Sequence, residues 1–256
     1  MSSVSPLSPF PESSSAVVTG GASGIGRKIA LTLAESGCRV TACDINTGGL
    51  DSLADEARRA GLDITPRPLD ITRLKDVQEF TNQLTSRGQA VQILVNSAGI
   101  CTGTAIEAVD EAEWDRIFSV NLKGLFFLCQ KMIPLLKANS WGRIINISSL
   151  AGFVGGILSS PAYSCSKAGV SCLTKTLAKY LAGSNITVNE VSPGTADTEM
   201  TRSWLGAKMD TFIDKVPLGR LARPADIADT VLFLASSQSE FITGQAIHVN
   251  GGMHMP

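Results

Sequence analysis

The chain has 256 residues, 44% of them hydrophobic and 18% charged, with a formal net charge of -1. That balance provides no electrostatic footprint for nucleic acid and no basic face for an anionic membrane. No apolar run approaches the roughly 20 residues that cross a bilayer, and an α/β chain of this size is routinely one domain.

Residues 1–15 are rich in Ser and Pro, without a basic start or an apolar core, and read as a disordered arm rather than a leader peptide. From 16 to 256 the pattern alternates. Short Val- and Ile-rich runs bounded by Gly, Asp, Asn or Pro predict strands over 16–19, 39–44, 64–69, 91–95, 143–147, 186–191 and 246–249. Between them, apolar residues at helical spacing predict helices over 24–35, 50–59, 74–86, 113–136, 162–181 and 225–235. Strands apolar on both faces, with helices between them, imply a single-domain α/β Rossmann fold. Its doubly wound, seven-stranded parallel sheet is flanked by helices. The segment 199–218 breaks the rhythm and carries Met200, Trp204, Leu205, Met209 and Phe212. Such an excursion at the C-terminal edge of a parallel sheet is a candidate substrate lid.

Six cysteines stand at 38, 43, 101, 129, 165 and 172, with no C-x-x-C pair. Scattered cysteines of this kind fit small core hydrophobes in a reducing cytoplasm. The only histidines, His248 and His254, lie near the C-terminus. A Cys/His metal site is therefore not expected, and the usual general base is scarce.

Thr19-Gly20-Gly21-Ala22-Ser23-Gly24-Ile25-Gly26 joins the first predicted strand to the first helix. Glycines there allow positive φ and leave the backbone bare where a diphosphate must approach, and a helix N-terminus presents free N–H groups. A tight turn alone also needs glycine; the strand–turn–helix context favours phosphate binding by Gly20, Ser23, Gly24, Ile25 and Gly26. The second strand ends at Asp44, eighteen residues after Gly26, with no Arg or Lys at the next two positions. A carboxylate there hydrogen-bonds ribose hydroxyls and repels a 2′-phosphate, so the expected cofactor is NAD.

Tyr163 and Lys167 are four apart in a helical stretch and share a face. Such a pair is common on surfaces. As a catalytic pair, a phenol of pKa about 10 needs a neighbouring cation to favour phenolate. Ser149, at the end of the fifth strand, either caps a turn or shares one carbonyl with Tyr163. A serine-hydrolase role is excluded by the absence of a G-x-S-x-G elbow and of a nearby histidine in sequence.

Taken together, 19–26, Asn96-Ser97-Ala98-Gly99, Asn121, Ser149, Tyr163 with Lys167, and Pro193-Gly194 resemble the short-chain dehydrogenase/reductase family from about 16 to 252. The resemblance implies a sheet order of 3-2-1-4-5-6-7 and a homotetramer assembled partly through the helices bearing Asn121 and Tyr163. It implies that Tyr163 exchanges the substrate proton, Ser149 binds the substrate oxygen, and Lys167 holds the nicotinamide ribose and lowers the Tyr163 pKa. Asn121 would hold a water leading from Lys167 to solvent. Asp70 would accept from the adenine amine, Asn96 and Gly99 would line the adenosine side, Pro193 and Gly194 would also contact the cofactor, and Thr198 would reach its carboxamide or its pyrophosphate. The chain departs from the family pattern at Ser97, a change expected to weaken a sheet-bracing bond, and at Asn250.

The pocket wall is expected from Phe153, Val154, Ile157 and Leu158, with Met200, Trp204, Leu205 and Phe212 of the lid; the same residues would also serve simply to pack the lid. Among them, Phe153 and Trp204 are the candidate substrate contacts beside Ser149 and Tyr163. An apolar wall suits an uncharged ketone/secondary-alcohol pair, with a polyol or sugar open. The alternatives are a 3-oxoacyl thioester reductase, against which Asp44 argues because those enzymes usually use NADPH, and an NAD-binding sensor without turnover.

Overall fold

The computed structural model of the chain describes residues 10–11, 14–156, 159–205 and 212–256, with backbone alone at 203–205. Its strands are β1 (Ser15–Thr19), β2 (Arg39–Asp44), β3 (Ile64–Pro68), β4 (Ile93–Asn96), β5 (Gly142–Ile147), β6 (Ile186–Pro193) and β7 (Ala246–Val249). They form one parallel sheet in the order β3-β2-β1-β4-β5-β6-β7. Between β1 and β4 the winding reverses, which opens a crevice at the C-terminal ends of the strands.

Side chains of successive strand residues take opposite faces. Val18, Val95, Ile145 and Val191 pack on α1 (Gly24–Glu35) and, late in the chain, the helix Pro224–Ala235. Val17, Leu94, Ile144 and Val188 pack on the other layer. That layer comprises α3 (Leu74–Ser86), α5 (Leu125–Lys137) and α7 (Pro161–Leu181). Three layers with two apolar seams result.

Two expectations need correction. Residues 1–15 are not all arm: Ser15 begins β1, Ser14 accepts the Arg39 N–H, and Phe10 is 5% exposed within the α1 seam. Burying one aromatic ring is worth about 1.5–3 kcal/mol, enough to draw a polar segment onto the body. The remainder of 1–15 lies outside the described residues. The single helix expected over 113–136 is instead α4 (Glu111–Phe118), a π-helical turn (Ser119–Gly124) and α5. The wider turn coincides with Asn121, whose amide bonds outside the helix, and with Gly124, where an added Cβ would lie 2.9 Å from the Ile71 carbonyl oxygen.

The remaining helices are α2 (Thr47–Ala60), started by the Asn46 side chain on Gly49 N–H, α6 (Ala151–Val154), α8 (Glu199–Leu205) and α9 (Pro224–Ala235). Among the described glycines, those of the β1–α1 turn come closest to other backbone atoms. Gly20 has φ +69°, and a Cβ on Gly26 would come 2.1 Å from the Gly20 carbonyl oxygen. Gly26→Ala is therefore expected to lower stability by about 2 kcal/mol or more, because backbone must move. Gly48→Ala, in helix α2, where an added Cβ would meet only Asn46 Oδ1 at an ordinary 3.7 Å, should be neutral or slightly stabilising. Urea unfolding of both variants against wild type measures the contrast.

Candidate active site

Strand β5 ends at Ile147, two residues before Ser149, while Pro161 at the first turn starts α7 and brings Tyr163 and Lys167 over the same strand end. Lys167 Nζ donates to the Ile147 carbonyl oxygen at 2.8 Å and lies 5.8 Å from the Tyr163 ring centroid. The Ser149 hydroxyl is hydrogen-bonded with the Tyr163 phenol, and it accepts the Ala151 N–H at 3.2 Å. Asn121 is fully buried: its Oδ1 accepts from Ile100 N–H at 2.8 Å, and its Nδ2 donates to the Ile100 carbonyl and to Ser166 Oγ, each at 3.0 Å. A Cβ on Gly99 would sit 3.4 Å from both Asn121 Oδ1 and Lys167 Nζ. The four expected catalytic side chains thus surround one strand end.

Electrostatics depart from expectation. Lys167 was expected to lower the Tyr163 pKa, yet burial raises that phenol above its ordinary value, Cys101 adds to the rise, and the Ser149 hydrogen bond only partly offsets it. Burial also pulls Lys167 down to about 8, so its ammonium is only marginally favoured at neutral pH. The Cys101 thiol, facing the same groups, is pushed up to about 12 by burial.

A groove leads from this point across the strand ends to β2. Gly20, Ser23, Gly24 and Ile25 form its floor at the N-terminus of α1, where Ser23 makes no side-chain cap bond. A Cβ on Gly24 would project to within 3.5 Å of Thr198 Cγ2, so the bare turn faces Thr198 across a narrow cradle. Asp44 closes the β2 end, with Oδ2 accepting Ala22 N–H at 3.0 Å and Oδ1 accepting Asn46 N–H at 2.9 Å. Helix-terminal amides, a carboxylate and a glycine-lined cradle are the donor set that a dinucleotide requires.

Not every expected residue faces this groove with its side chain. Asn96 turns into the sheet, donating to Asn146 Oδ1 at 2.8 Å and Cys129 Sγ at 3.2 Å, which leaves its backbone to the groove. Sheet bracing therefore belongs to Asn96, and the Ser97 departure leaves it intact. Asp70 Oδ1 is held by Thr72, through N–H at 2.9 Å and the hydroxyl at 2.6 Å. The Pro193 carbonyl takes the Leu150 N–H, and Gly194 packs so closely that a Cβ would meet Asn250 Cα at 2.9 Å. Phe153 stays exposed, with one edge against the C-terminal segment, 4.6 Å from the His248 ring and 6.4 Å from His254. Ile157, Leu158 and the side chains of Trp204 and Leu205 lie outside the described residues.

Sequence reasoning missed Cys101, Glu113 and His248. Glu113 grips the β4–α4 loop, accepting from Thr102 at 2.6 Å and Thr104 at 2.8 Å. Only the position of Cys101, two residues beyond Gly99, signalled a place in the site.

Known proteins share this arrangement. A family model described as enoyl-(acyl carrier protein) reductase matches residues 20–254. The chain is 38% identical to the 3-oxoacyl-[acyl-carrier-protein] reductase FabG of Thermotoga maritima, over 93% of this chain and 96% of that one. Among solved structures, a short-chain dehydrogenase/reductase of glucose/ribitol dehydrogenase type from Brucella melitensis superposes with a TM-score of 0.89 at 33% identity, covering 96% of this chain and 98% of the other. An actinorhodin polyketide ketoreductase solved with NADPH matches with a TM-score of 0.89 at 32% identity, over 94% and 97% of the two chains. With the sheet order, the glycine turn and the Ser149, Tyr163 and Lys167 cluster in place, the chain belongs to the short-chain dehydrogenase/reductase family, whose members are nicotinamide-dependent oxidoreductases.

Proposed function

We propose that this protein interconverts ketones and secondary alcohols, with 3-oxoacyl thioesters as the leading substrate class and NAD(H) as cofactor. The convergence of Ser149, Tyr163 and Lys167 on one strand end carries the chemistry. The thioester class, which Asp44 first argued against, is supported by the extent of similarity to the Thermotoga reductase. The sugar-alcohol reading keeps the support of the Brucella neighbour.

When bound, the dinucleotide supplies or accepts the hydride. Gly20, Ser23, Gly24, Ile25 and Thr198 would hold its diphosphate, Asp44 one ribose, Asp70 and the backbone of Asn96 and Gly99 the adenosine side, and Pro193, Gly194 and Lys167 the nicotinamide end. Tyr163 donates its proton to the carbonyl oxygen in reduction and takes one from the hydroxyl in oxidation. Ser149 donates to the same oxygen and fixes it before the phenol. Asn121, beside Lys167, would hold the water that returns the proton. Phe153 and Trp204 would wall the substrate, and the segment 199–218 would close over it.

Assembly and setting follow the same reading. Phe118, Leu122, Phe126, Phe127 and Leu173 line an apolar groove on the outer face of the Asn121- and Tyr163-bearing helices, suited to a second copy within a homotetramer. No helix among the described residues is long and apolar enough to cross a membrane. Six free thiols suit the cytoplasm.

Acetoacetyl-CoA offered with NADH or NADPH, beside a panel of polyols and secondary alcohols with NAD, tests the substrate class. Reduction of the thioester is expected; turnover of polyols alone would move the assignment to the second reading, and silence across the panel would leave a sensor. Tyr163→Phe should lose about 10²–10⁴-fold in kcat while NADH fluorescence still reports binding; near-normal turnover would remove Tyr163 from its role. The NAD preference rests on Asp44, and the nearest cation of the turn, Arg27, is engaged by Glu56 at 2.6 Å. Asp44→Ala should move the NADP-to-NAD ratio of kcat/KM about tenfold or more toward NADP, and wild-type preference for NADP would overturn the assignment.

A further inference from the structure

Beneath the catalytic helix lies a carboxylate that the chemistry above leaves unused. Glu190 stands in the middle of β6, opposite Asn146 on β5 and Ala246 on β7, and is 1% exposed. An ion so deeply buried costs several kcal/mol unless it is paired or hydrogen-bonded. Glu190 is well supplied. Its Oε1 accepts from Ser171 Oγ at 2.8 Å, Thr174 Oγ1 lies 3.5 Å from Oε2, and the Ser148 hydroxyl also bonds to it.

These partners lead to the active site. Ser171 and Thr174 follow Lys167 by four and seven residues, on the same face of α7. The Ser171 hydroxyl lies 3.3 Å from the Lys167 carbonyl oxygen. Thr174 Oγ1 accepts from Asn146 Nδ2 at 2.8 Å, and Asn146 Oδ1 accepts from Asn96 at 2.8 Å. A buried chain of hydrogen bonds thus runs from Asn96 on β4 to Asn146 on β5, through Thr174 of α7 to Glu190 on β6, and back to Ser171, one turn of α7 beyond Lys167.

Charge points the same way. The ionisable groups facing Lys167 are Tyr163 on its own helix, Cys101 from the β4–α4 loop and Glu190 from β6. Burial keeps the Tyr163 phenol and the Cys101 thiol protonated, and therefore neutral, in ordinary buffers. Burial holds the Glu190 carboxyl above the usual carboxylate range, and Ser171, Lys175 on its other side, Ser148 and Thr174 offset part of that rise. Of the three groups facing Lys167, the Glu190 carboxyl is the most acidic by nature, and it is the one that a lysine and three hydroxyls favour as an anion.

We propose that Glu190 is a positioning residue for Lys167: it seats the Lys167 turn of α7 on the sheet through Ser171 and Thr174 and supplies the counter-charge of the buried ammonium. Its bearing on catalysis rests on the role given to Lys167 above; its test does not. The full chain, without cofactor, is labelled with ¹³C at the lysine carbon next to the amine and titrated by NMR. Lys167→Arg identifies the signal. Wild-type Lys167 should titrate near 8. Removing the neighbouring charge in Glu190→Gln should lower the midpoint by about half a pH unit or more, a threefold or larger change in the ammonium-to-amine ratio. Ser171→Ala keeps the charge and should keep the midpoint, while thermal unfolding moves down as the seat loosens. If Glu190→Gln does not fold, Glu190→Asp gives the same readout, with a smaller fall as the carboxylate draws back. A midpoint within about 0.2 pH unit of wild type in the folded variant overturns the proposal. A midpoint that moves in a protein turning over no ketone or alcohol would leave the pairing standing and sink the proposed reaction instead.

Discussion

The hydrogen bond from Lys167 Nζ to the Ile147 carbonyl oxygen fixes a 21-residue helix to the end of strand β5. Helix α7 packs on the sheet through apolar contacts that are strong but poor at specifying translation. A hydrogen bond from a charged group contributes about 1.5–3 kcal/mol and has a direction. Because Ser149 follows Ile147 by two residues, this tether sets the place of the phenol relative to the serine hydroxyl. Its cost is the burial of the amine, which is why Lys167 lies so far below an ordinary lysine. Lys167 is at once an anchor and a strained charge.

Asp44 shows the same economy at the other end of the groove. Its two oxygens close the glycine turn on one side and start the β2–α2 connection on the other. The residue proposed to discriminate between cofactors thus also holds the glycine turn in shape. Local structure and the proposed selectivity would rest on one carboxylate.

The alternation of Val-rich runs and amphipathic stretches made the three layers legible, because burial on both faces forces the strands to be apolar throughout. Tyr163, Lys167 and the glycine turn were legible because each role needs a fixed local spacing. What escaped was tertiary. Glu190 sits in a strand that otherwise reads as core, and nothing local shows that Ser171 and Thr174 come to meet it. His248 was remote in sequence from the serine segment, yet parallel pairing of β6 with β7 brings it to Phe153. Burial also reversed the expected direction for Tyr163, since desolvation depends on what covers the hydroxyl and not on its neighbours in the chain. Phe10 was misplaced because the Ser- and Pro-rich composition around it outweighed one ring.

The π-helical turn between α4 and α5 has a reach well beyond Asn121. In a regular helix, residues eight positions apart diverge by about 80° around the axis; one surplus residue in a wide turn brings them back to within about 20°. Phe118, Leu122 and Phe126 therefore fall in line along one outer groove, while Asn121 between them looks inward to Lys167. Losing a single residue there would swing the amide out of the active site and splay the aromatic row in the same stroke. Length at this point in the chain is thus under two constraints at once, which ties the spacing of the helix to both its inner chemistry and its outer packing.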